Sequence, residues 1–134
     1  MPVIDYLKPE KLYRPRGFVH VTVSTGARAI HVGGQISIDV EGEFQHVGDY
    51  RGQMNLAMAN LFNAVEGAGA SLADIARIGI YVVDYGPEAD AAVFAGFGDA
   101  VAEREFRTPA LVLLGVSALG HQHALVEVDG VAYA

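Results

Sequence analysis

The chain has 134 residues, enough for one domain, and its composition of 51% apolar and 19% charged residues excludes an intrinsically disordered protein. Nine basic and sixteen acidic side chains give a net charge of −7, and because such a chain repels a phosphate backbone we do not expect a nucleic-acid partner. Cysteine is absent, which excludes disulfides and thiolate chemistry. We recognise no secretory leader and no apolar run of roughly 20 residues, so we expect a cytoplasmic protein with no membrane partner. We expect a single domain over residues 1–134.

The first half of the chain predicts two strands and a helix. Residues 1–17 contain three prolines and are expected to form an irregular lead-in. Valines alternate with other residues over Phe18–Ser24, which is typical of a half-buried strand, and Arg28–Gln35 follows a short turn as a second strand. We therefore expect these two strands to pair as a hairpin. A polar loop over Ile36–Val47 then leads into the clearest helix, Asp49–Val65, where apolar residues recur at helical spacing.

The second half predicts one more helix and three more strands. Ser71 and Asp74 have the spacing of a capping box and indicate a short turn. Ile75–Val83 is rich in β-branched residues and is predicted to be a strand, and Pro87–Arg104 is predicted to be a helix with proline in its first turn. Two further strands are expected over Pro109–Ala118 and His123–Ala134.

The order ββαβαββ predicts an α+β domain with a mainly antiparallel sheet and both helices on one face. Such a sheet leaves its other face without a helix. The run Leu111–Leu114 is apolar on both faces of its strand, which indicates that a second chain covers the bare face. We therefore expect a homo-oligomer.

Two histidines close together raise the question of a metal site. His121 and His123 would lie on one side of an extended segment, as two ligands of one metal would. No third ligand follows at a diagnostic spacing, and solvated turn histidines are the favoured interpretation. We predict no metal site.

Two features of the strands could carry chemistry. Gly33 and Gly34 end a strand without matching a phosphate-binding motif, so they mark either a bulge or a place where the backbone closely approaches a ligand. Glu127 lies in the middle of the last strand, on the same face as Asp129. Apolar neighbours would partly desolvate this carboxylate and suit it to acid–base chemistry, whereas the alternative is a simply solvated face.

Several short motifs follow one another in a recognisable order. They are Ile30–Ile36 (IHVGGQI), Gly67–Ile75 (GAGASLADI), Tyr81–Asp84 (YVVD), Thr108–Ala110 (TPA), Gly115-Val116 with Leu119, and Val126–Val128 (VEV). Together they resemble the RidA/YjgF family of reactive-intermediate deaminases, some of which carry the label endoribonuclease L-PSP. The resemblance covers about residues 18–134 and implies a chorismate-mutase-like α+β fold. It also implies a homotrimer with its helices outside, a central barrel of sheets, and small-molecule pockets at the subunit interfaces.

The resemblance also assigns residues to the pocket, which in the family's deaminases hydrolyses 2-enamine or 2-imine acids to 2-oxo acids and ammonia. The strand glutamate that orients the attacking water corresponds to Glu127, the expected catalytic residue. The remaining positions implied for the substrate-binding pocket are Phe18, Gly33, Gly34, Phe94, Leu111 and Leu113. No cofactor is expected.

This chain departs from the family pattern at the position that matters most for the substrate. Where the deaminases have an arginine that holds the substrate carboxylate, this chain has Leu111, and Leu113 stands where cysteine is common. Phe18 replaces the pocket tyrosine and Phe94 a helix asparagine. Leucine cannot pair with a carboxylate, and an unpaired carboxylate in an apolar pocket is costly. The pocket should therefore be more apolar than is usual in the family.

The resemblance implies a small-molecule hydrolase that acts on an enamine, an imine or a related C–N group. The departures favour a neutral or weakly polar substrate and make the deamination of 2-imino acids doubtful. Arg104 or Arg107 could replace the missing arginine, although a solvated helix end is the favoured interpretation of both. The alternative function is a non-catalytic small-molecule-binding or interaction trimer. The ribonuclease label is disfavoured by the net charge of −7.

Overall fold

This computed structural model describes residues 3–134 of the chain, with side chains from Asp5 onward. The elements, in chain order, are β1 (Val3–Leu7), β2 (Val21–Ser24), β3 (Ala29–Gln35), α1 (Tyr50–Gly67), a 3-10 turn (Leu72–Asp74), β4 (Ile75–Val83), α2 (Pro87–Glu103), β5 (Ala110–Val116) and β6 (Val126–Tyr133). No helix in this described range is long and apolar enough to cross a membrane.

The larger sheet has the strand order β3-β6-β4-β5. Its central strand β6 runs antiparallel to both β3 and β4. Strands β4 and β5 are parallel, because α2 carries the chain back across the sheet between them. The predicted α+β class with a mainly antiparallel sheet is therefore confirmed, and one parallel pair is added to it.

The predicted hairpin between the first two strands is wrong. Strand β2 pairs with β1 in a separate two-stranded ribbon, whereas β3 pairs with β6 from the far end of the chain. The lead-in that we expected to be irregular over residues 1–17 contains β1, because its prolines at positions 2, 9 and 15 flank Val3–Leu7 rather than interrupt it. A turn-like connection between two strands of suitable pattern does not force them to pair when other strand edges compete.

The core lies between one face of the larger sheet and the two helices. From α1 the apolar stripe contributes Met54, Met58 and Leu61, all fully buried. On β6, every second residue from Val126 to Ala132 is buried against these helices, so the strand alternates strictly between covered and uncovered faces. Each fully buried valine, leucine or methionine side chain contributes roughly 1.5–3 kcal/mol through its removal from water. This packing fixes which β6 side chains turn away from the helices.

The opposite face of the larger sheet carries no helix among the described residues. Glu127, Asp129 and Val131 of β6 lie on it, each half-buried. Strand β2 borders one end of this face, where it lines a cavity together with Arg77 and Val131. We call this surface the helix-free face.

Strand β5 forms one edge of the sheet and is apolar on both of its faces. Leu111 and Leu113 pack against the core on the helix side. Leu114 belongs to the other face and is 48% exposed. The two-faced apolar pattern seen in the sequence is therefore present in the fold, and it leaves large apolar side chains at an open strand edge.

Candidate functional site

The Glu127 carboxylate lies close to the backbone of the neighbouring strand at Gly34, where the missing side chain leaves space for it. A Cβ atom placed on Gly34 would lie 1.9 Å from Oε2 of Glu127, so the position has room for the carboxylate only because it lacks a side chain. The register between β3 and β6 shifts between Val32 and Gln35, so Gly33 and Gly34 lie in a β-bulge. The interpretation of the glycine pair as a bulge is confirmed, and the space that Gly34 leaves is occupied by the Glu127 side chain. The close approach of a ligand to this backbone stays a prediction.

A second carboxylate lies beside Glu127 on the helix-free face. The Tyr81 hydroxyl donates a hydrogen bond to Oδ2 of Asp129 at 3.2 Å. A Cβ atom on Gly79 would lie 2.3 Å from Oδ1 of Asp129 and 2.6 Å from the Tyr81 hydroxyl, so this glycine also makes space for a polar group. Strand pairing sets Tyr81 directly opposite Glu127 and Gly79 directly opposite Asp129. The carboxylates of Glu127 and Asp129 and the phenol of Tyr81 therefore lie on neighbouring positions of two paired strands.

The electrostatics of this cluster favour a protonated tyrosine. Burial raises the pKa of the Tyr81 hydroxyl above its ordinary value of 10.0, the Asp129 carboxylate raises it further, and Arg77 opposes the shift. Within the described part of the chain, Oδ1 of Asp129 is buried and accepts no hydrogen bond. A buried acceptor without a donor typically costs about 1–3 kcal/mol. The sequence placed Asp129 on this face, and the alternation of Arg77, Gly79 and Tyr81 along β4 would have placed Tyr81 there too.

The apolar residues implied for the pocket lie elsewhere in the same chain. Leu111 and Leu113 face the helices, on the side of the sheet opposite to Glu127. Phe94 lies on α2, is 40% exposed, and has its ring centroid 6.4 Å from that of Phe97. One chain thus brings Glu127 together with Gly33 and Gly34 but not with these three residues.

Phe18 belongs to the far end of the sheet. Its neighbour Val19 forms an isolated bridge with Ala110, which pairs with Arg77 on β4. Glu127 pairs with Tyr81, four residues further along β4, and strand geometry makes that separation about 13 Å. Phe18 is half-buried and does not share a pocket with Glu127 in one chain.

The two arginines considered as replacements for the missing arginine have different surroundings. Arg104 donates to Oε2 of Glu66 at 2.6 Å and lies over the Phe62 ring, with 5.6 Å to its centroid. Arg107 is exposed, and its guanidinium lies 4.0 Å from the centroid of the Tyr6 ring. Arg104 is therefore engaged between the helices, while Arg107 belongs to the surface near Phe18.

The two histidines near the start of the last strand lie beside an aromatic ring. His121 stacks on Phe44 with ring centroids 4.7 Å apart, and the backbone N–H of His123 donates to Nδ1 of His121 at 3.1 Å. Across the residues with described side chains, no group of three or more His, Cys, Asp or Glu that could hold a metal ion occurs. Phe44 could not be predicted as a neighbour of these histidines, because it lies in a loop some 80 residues earlier in the chain.

Solved structures with the same fold cover almost the whole chain. The Rid-family protein YyfB from Yersinia pestis, described as a protein of unknown function, is 29% identical, with a TM-score of 0.86 over 97% of this chain and 98% of that one. YjgF from E. coli is 24% identical over 97% and 98% of the two chains, with a TM-score of 0.70. TdcF from E. coli, solved with bound serine, is 19% identical over 100% and 98%, with a TM-score of 0.71. The last two likenesses show the fold alone.

These likenesses define the class of protein as a Rid-type α+β domain. A family profile described as Endoribonuclease L-PSP matches residues 11–134, so the chain belongs to this family, which contains the RidA/YjgF proteins. The resemblance seen in the sequence motifs is confirmed. A comparison with curated proteins finds no match.

The contact between Gly34 and Glu127 predicts a specific effect of one methyl group. Gly34→Ala should leave the fold intact but push the Glu127 carboxylate out of its position, because the end of a flexible side chain yields more readily than a backbone. Gly33→Ala is the matched control, since a Cβ atom there would meet nothing within 4 Å. The carboxyl-carbon NMR resonance of Glu127 should move in Gly34→Ala and stay in place in Gly33→Ala. The free energy of unfolding of both variants should lie within about 1 kcal/mol of the wild-type value. Equal resonances in the two variants would disprove the contact.

The raised pKa of Tyr81 predicts a loss of stability in alkali. Above about pH 10 the unfolded chain ionises this tyrosine while the folded chain keeps its proton, so the free energy of unfolding falls as the pH rises through the folded-state pKa. Tyr81→Phe removes this contribution and should make the fall shallower. Urea unfolding at closely spaced pH values measures the slope. Tyr13→Phe, at a position 69% exposed, is the control, and identical slopes in the two variants would count against the prediction.

Proposed function

We propose that the protein is a small-molecule hydrolase that cleaves an enamine, an imine or a related C–N group, with Glu127 activating water. The observation that carries this proposal is the placement of the Glu127 carboxylate over the Gly34 backbone, half-buried on a sheet face without helices. A carboxylate in such a place has its position defined by the fold and still meets solvent on one side. That combination is what a general base for water needs.

The proposed reaction follows from the chemistry of a carboxylate and a C=N bond. The Glu127 carboxylate accepts a proton from water as the water oxygen adds to the imine carbon, and the proton passes to the nitrogen. The resulting carbinolamine collapses to a carbonyl group and releases ammonia or an amine. An enamine reaches the same imine when its carbon gains a proton and its nitrogen loses one. One water is consumed, one C–N bond is cleaved and no electron is transferred.

We further propose that the complete pocket forms between copies of the chain, in a homotrimer located in the cytoplasm. Two facts support an intersubunit site. The helix-free face carries Glu127 and the opposite side of the sheet carries Leu111 and Leu113, so one chain alone cannot assemble all the implied residues. The exposed apolar edge at Leu114 also calls for a covering chain. TdcF, which has the same fold, holds serine, and this supports a small-molecule pocket.

The substrate class follows from what stands at position 111. Leu111 packs partly against the core and offers no charge, whereas a bidentate arginine–carboxylate pair needs a guanidinium. We therefore propose a substrate whose C–N group carries no adjacent carboxylate. The replacement of the arginine also favours the second candidate function, a non-catalytic trimer that binds a small molecule in the same pocket.

The hydrolysis assay decides between the two functions. Imines without a carboxylate, and 2-imino acids generated by an amino-acid oxidase, are offered to the purified protein. We expect acceleration with the first group and a loss of about 10²–10⁴-fold in Glu127→Gln, the range typical of a general base. Glu41→Gln, a change on an exposed loop, is the control and should retain full activity. Acceleration that persists in Glu127→Gln would rule out the mechanism.

The same samples test the intersubunit site. We expect a sedimentation mass three times the 14.2 kDa of the chain. A monomer that hydrolyses these imines with full activity would contradict a pocket shared between copies. A trimer that accelerates neither substrate group would support the binding function instead.

The substrate argument predicts a gain of activity from a single substitution. Leu111→Arg should raise the hydrolysis of 2-imino acids at least tenfold, because it supplies two charge-assisted hydrogen bonds to the substrate carboxylate, each worth about 1.5–3 kcal/mol. Leu111→Met keeps the volume without the charge and should leave that rate unchanged. Rates are measured under single-turnover conditions on samples with matched unfolding midpoints. Efficient hydrolysis of 2-imino acids by the wild-type chain would overturn the argument from Leu111.

A further inference from the structure

A small depression lies beside Phe18, at the opposite end of the sheet from Glu127. Its volume is about 160 Å³. The residues that line it are Lys8, Gly17, Phe18, Val19, Arg107 and Thr108. Two of these six are cations, and among the described residues of the lining none is a carboxylate. On a chain with a net charge of −7 this local excess of positive charge is unusual.

Among the residues whose side chains are described, the Arg107 guanidinium has no hydrogen-bond partner. This guanidinium lies against the Tyr6 ring, 4.0 Å from the centroid, which holds the plane of the group in place. Of the ion pairs between described residues, none involves Arg107, in contrast to Arg104 with its partner Glu66. A guanidinium whose face is stacked and whose edge is unpaired is arranged for two parallel hydrogen bonds to an oxyanion.

The other lining residues complete a site for an amphipathic anion. Lys8 is exposed and adds a second positive charge on a flexible stem. Thr108 is half-buried and carries a hydroxyl that can donate. Phe18 is half-buried, with its ring edge-on to His20 at 6.2 Å, and offers an apolar wall. A volume of 160 Å³ has room for one oxyanion and a few carbon atoms.

We propose that this depression, the Arg107 subsite, binds the oxyanion of a small ligand, a carboxylate or a phosphate, while the apolar part of that ligand packs against Phe18. The binding of the oxyanion does not depend on the proposed hydrolysis. Only the further step, that the ligand is also the substrate, rests on the proposed function.

The position of the subsite distinguishes its anion from a carboxylate next to the reacting carbon. Arg107 precedes Leu111 by four residues, and the segment between them has no helix, so an extended chain separates them by up to about 13 Å. Within this limit, an oxyanion at Arg107 can belong to a part of the ligand several bonds away from a C–N group near Leu111. The subsite reconciles an apolar reaction pocket with an anionic ligand.

Titration with matched aromatic probes, followed by NMR, tests the subsite. Phenyl phosphate, phenylacetate and the uncharged benzyl alcohol share a ring that can meet Phe18 and differ in the group offered to Arg107. We expect both anions to bind, with shifts centred on residues 17–19 and 107–108, and benzyl alcohol to bind at least tenfold more weakly. The stronger of the two anions identifies the ligand as a phosphate or a carboxylate.

Variants locate the binding. Arg107→Leu should lower the affinity for both anions at least tenfold. Arg107→Lys keeps the charge but loses the planar guanidinium, and it should lower the affinity by a smaller factor. Arg16→Leu is the matched control, because this exposed arginine directly precedes Gly17 in the chain but does not line the depression. It should change the affinity for either anion less than twofold. Amide spectra away from the subsite verify that each variant is folded.

The outcomes are distinct from those of the hydrolysis assay. Glu127→Gln should lose hydrolysis and keep anion binding, so either proposal can fail alone. Equal affinity for benzyl alcohol and phenylacetate would overturn the oxyanion subsite. An equal loss of anion affinity in Arg16→Leu and Arg107→Leu would also overturn it, because it would indicate attraction by diffuse surface charge. Failure of both anions to bind would overturn it too.

Discussion

The alternation of the central strand β6 is the constraint on which the rest of the molecule depends. Val126, Val128 and Ala132 are completely buried beneath the helices. Because side chains of a strand point alternately to its two faces, burying these residues forces Glu127 and Asp129 onto the other face. A slip of one residue in register would bring two carboxylates into the apolar core, where each charge would be unpaired. The hydrophobic core thus determines the position of the polar site.

The helix-free face accommodates its carboxylates by removing side chains from the neighbouring strands. Glu127 lies over Gly34 on one side of β6, and Asp129 lies over Gly79 on the other. In both cases the glycine is useful for the volume that it leaves empty and not for an unusual backbone angle, since neither has a positive φ. The two carboxylates on the helix-free face therefore keep their positions only because Gly34 and Gly79 have no Cβ atoms.

The sequence predicted most of the elements and half of the site. Strand alternation placed Glu127 and Asp129 on one face correctly, because the two-residue period is local information. The pairing of β1 with β2, and of β3 with β6, was not predictable in this way, since it depends on competition between edges far apart in the chain. The glycine pair suggested a bulge, but the contact of Gly34 with Glu127 was not predictable, because it depends on the pairing of β3 with β6. The implied place of Leu111 in the substrate pocket came from the family motifs, because hydrophobic periodicity does not show which residues line a pocket.

The place of β6 in the sheet has a consequence for how the chain folds during synthesis. This strand comes last among the elements, yet it stands between β3 and β4, and Ala29 at the start of β3 pairs with Tyr133 at its end. Until residues 126–133 have left the ribosome, β3 has no partner in the larger sheet and β4 can pair only with β5. Closing a loop of this length is entropically costly and slow. The emerging chain thus exposes one edge of β3 and one edge of β4 until residues 126–133 are available, and in this interval aggregation competes with folding.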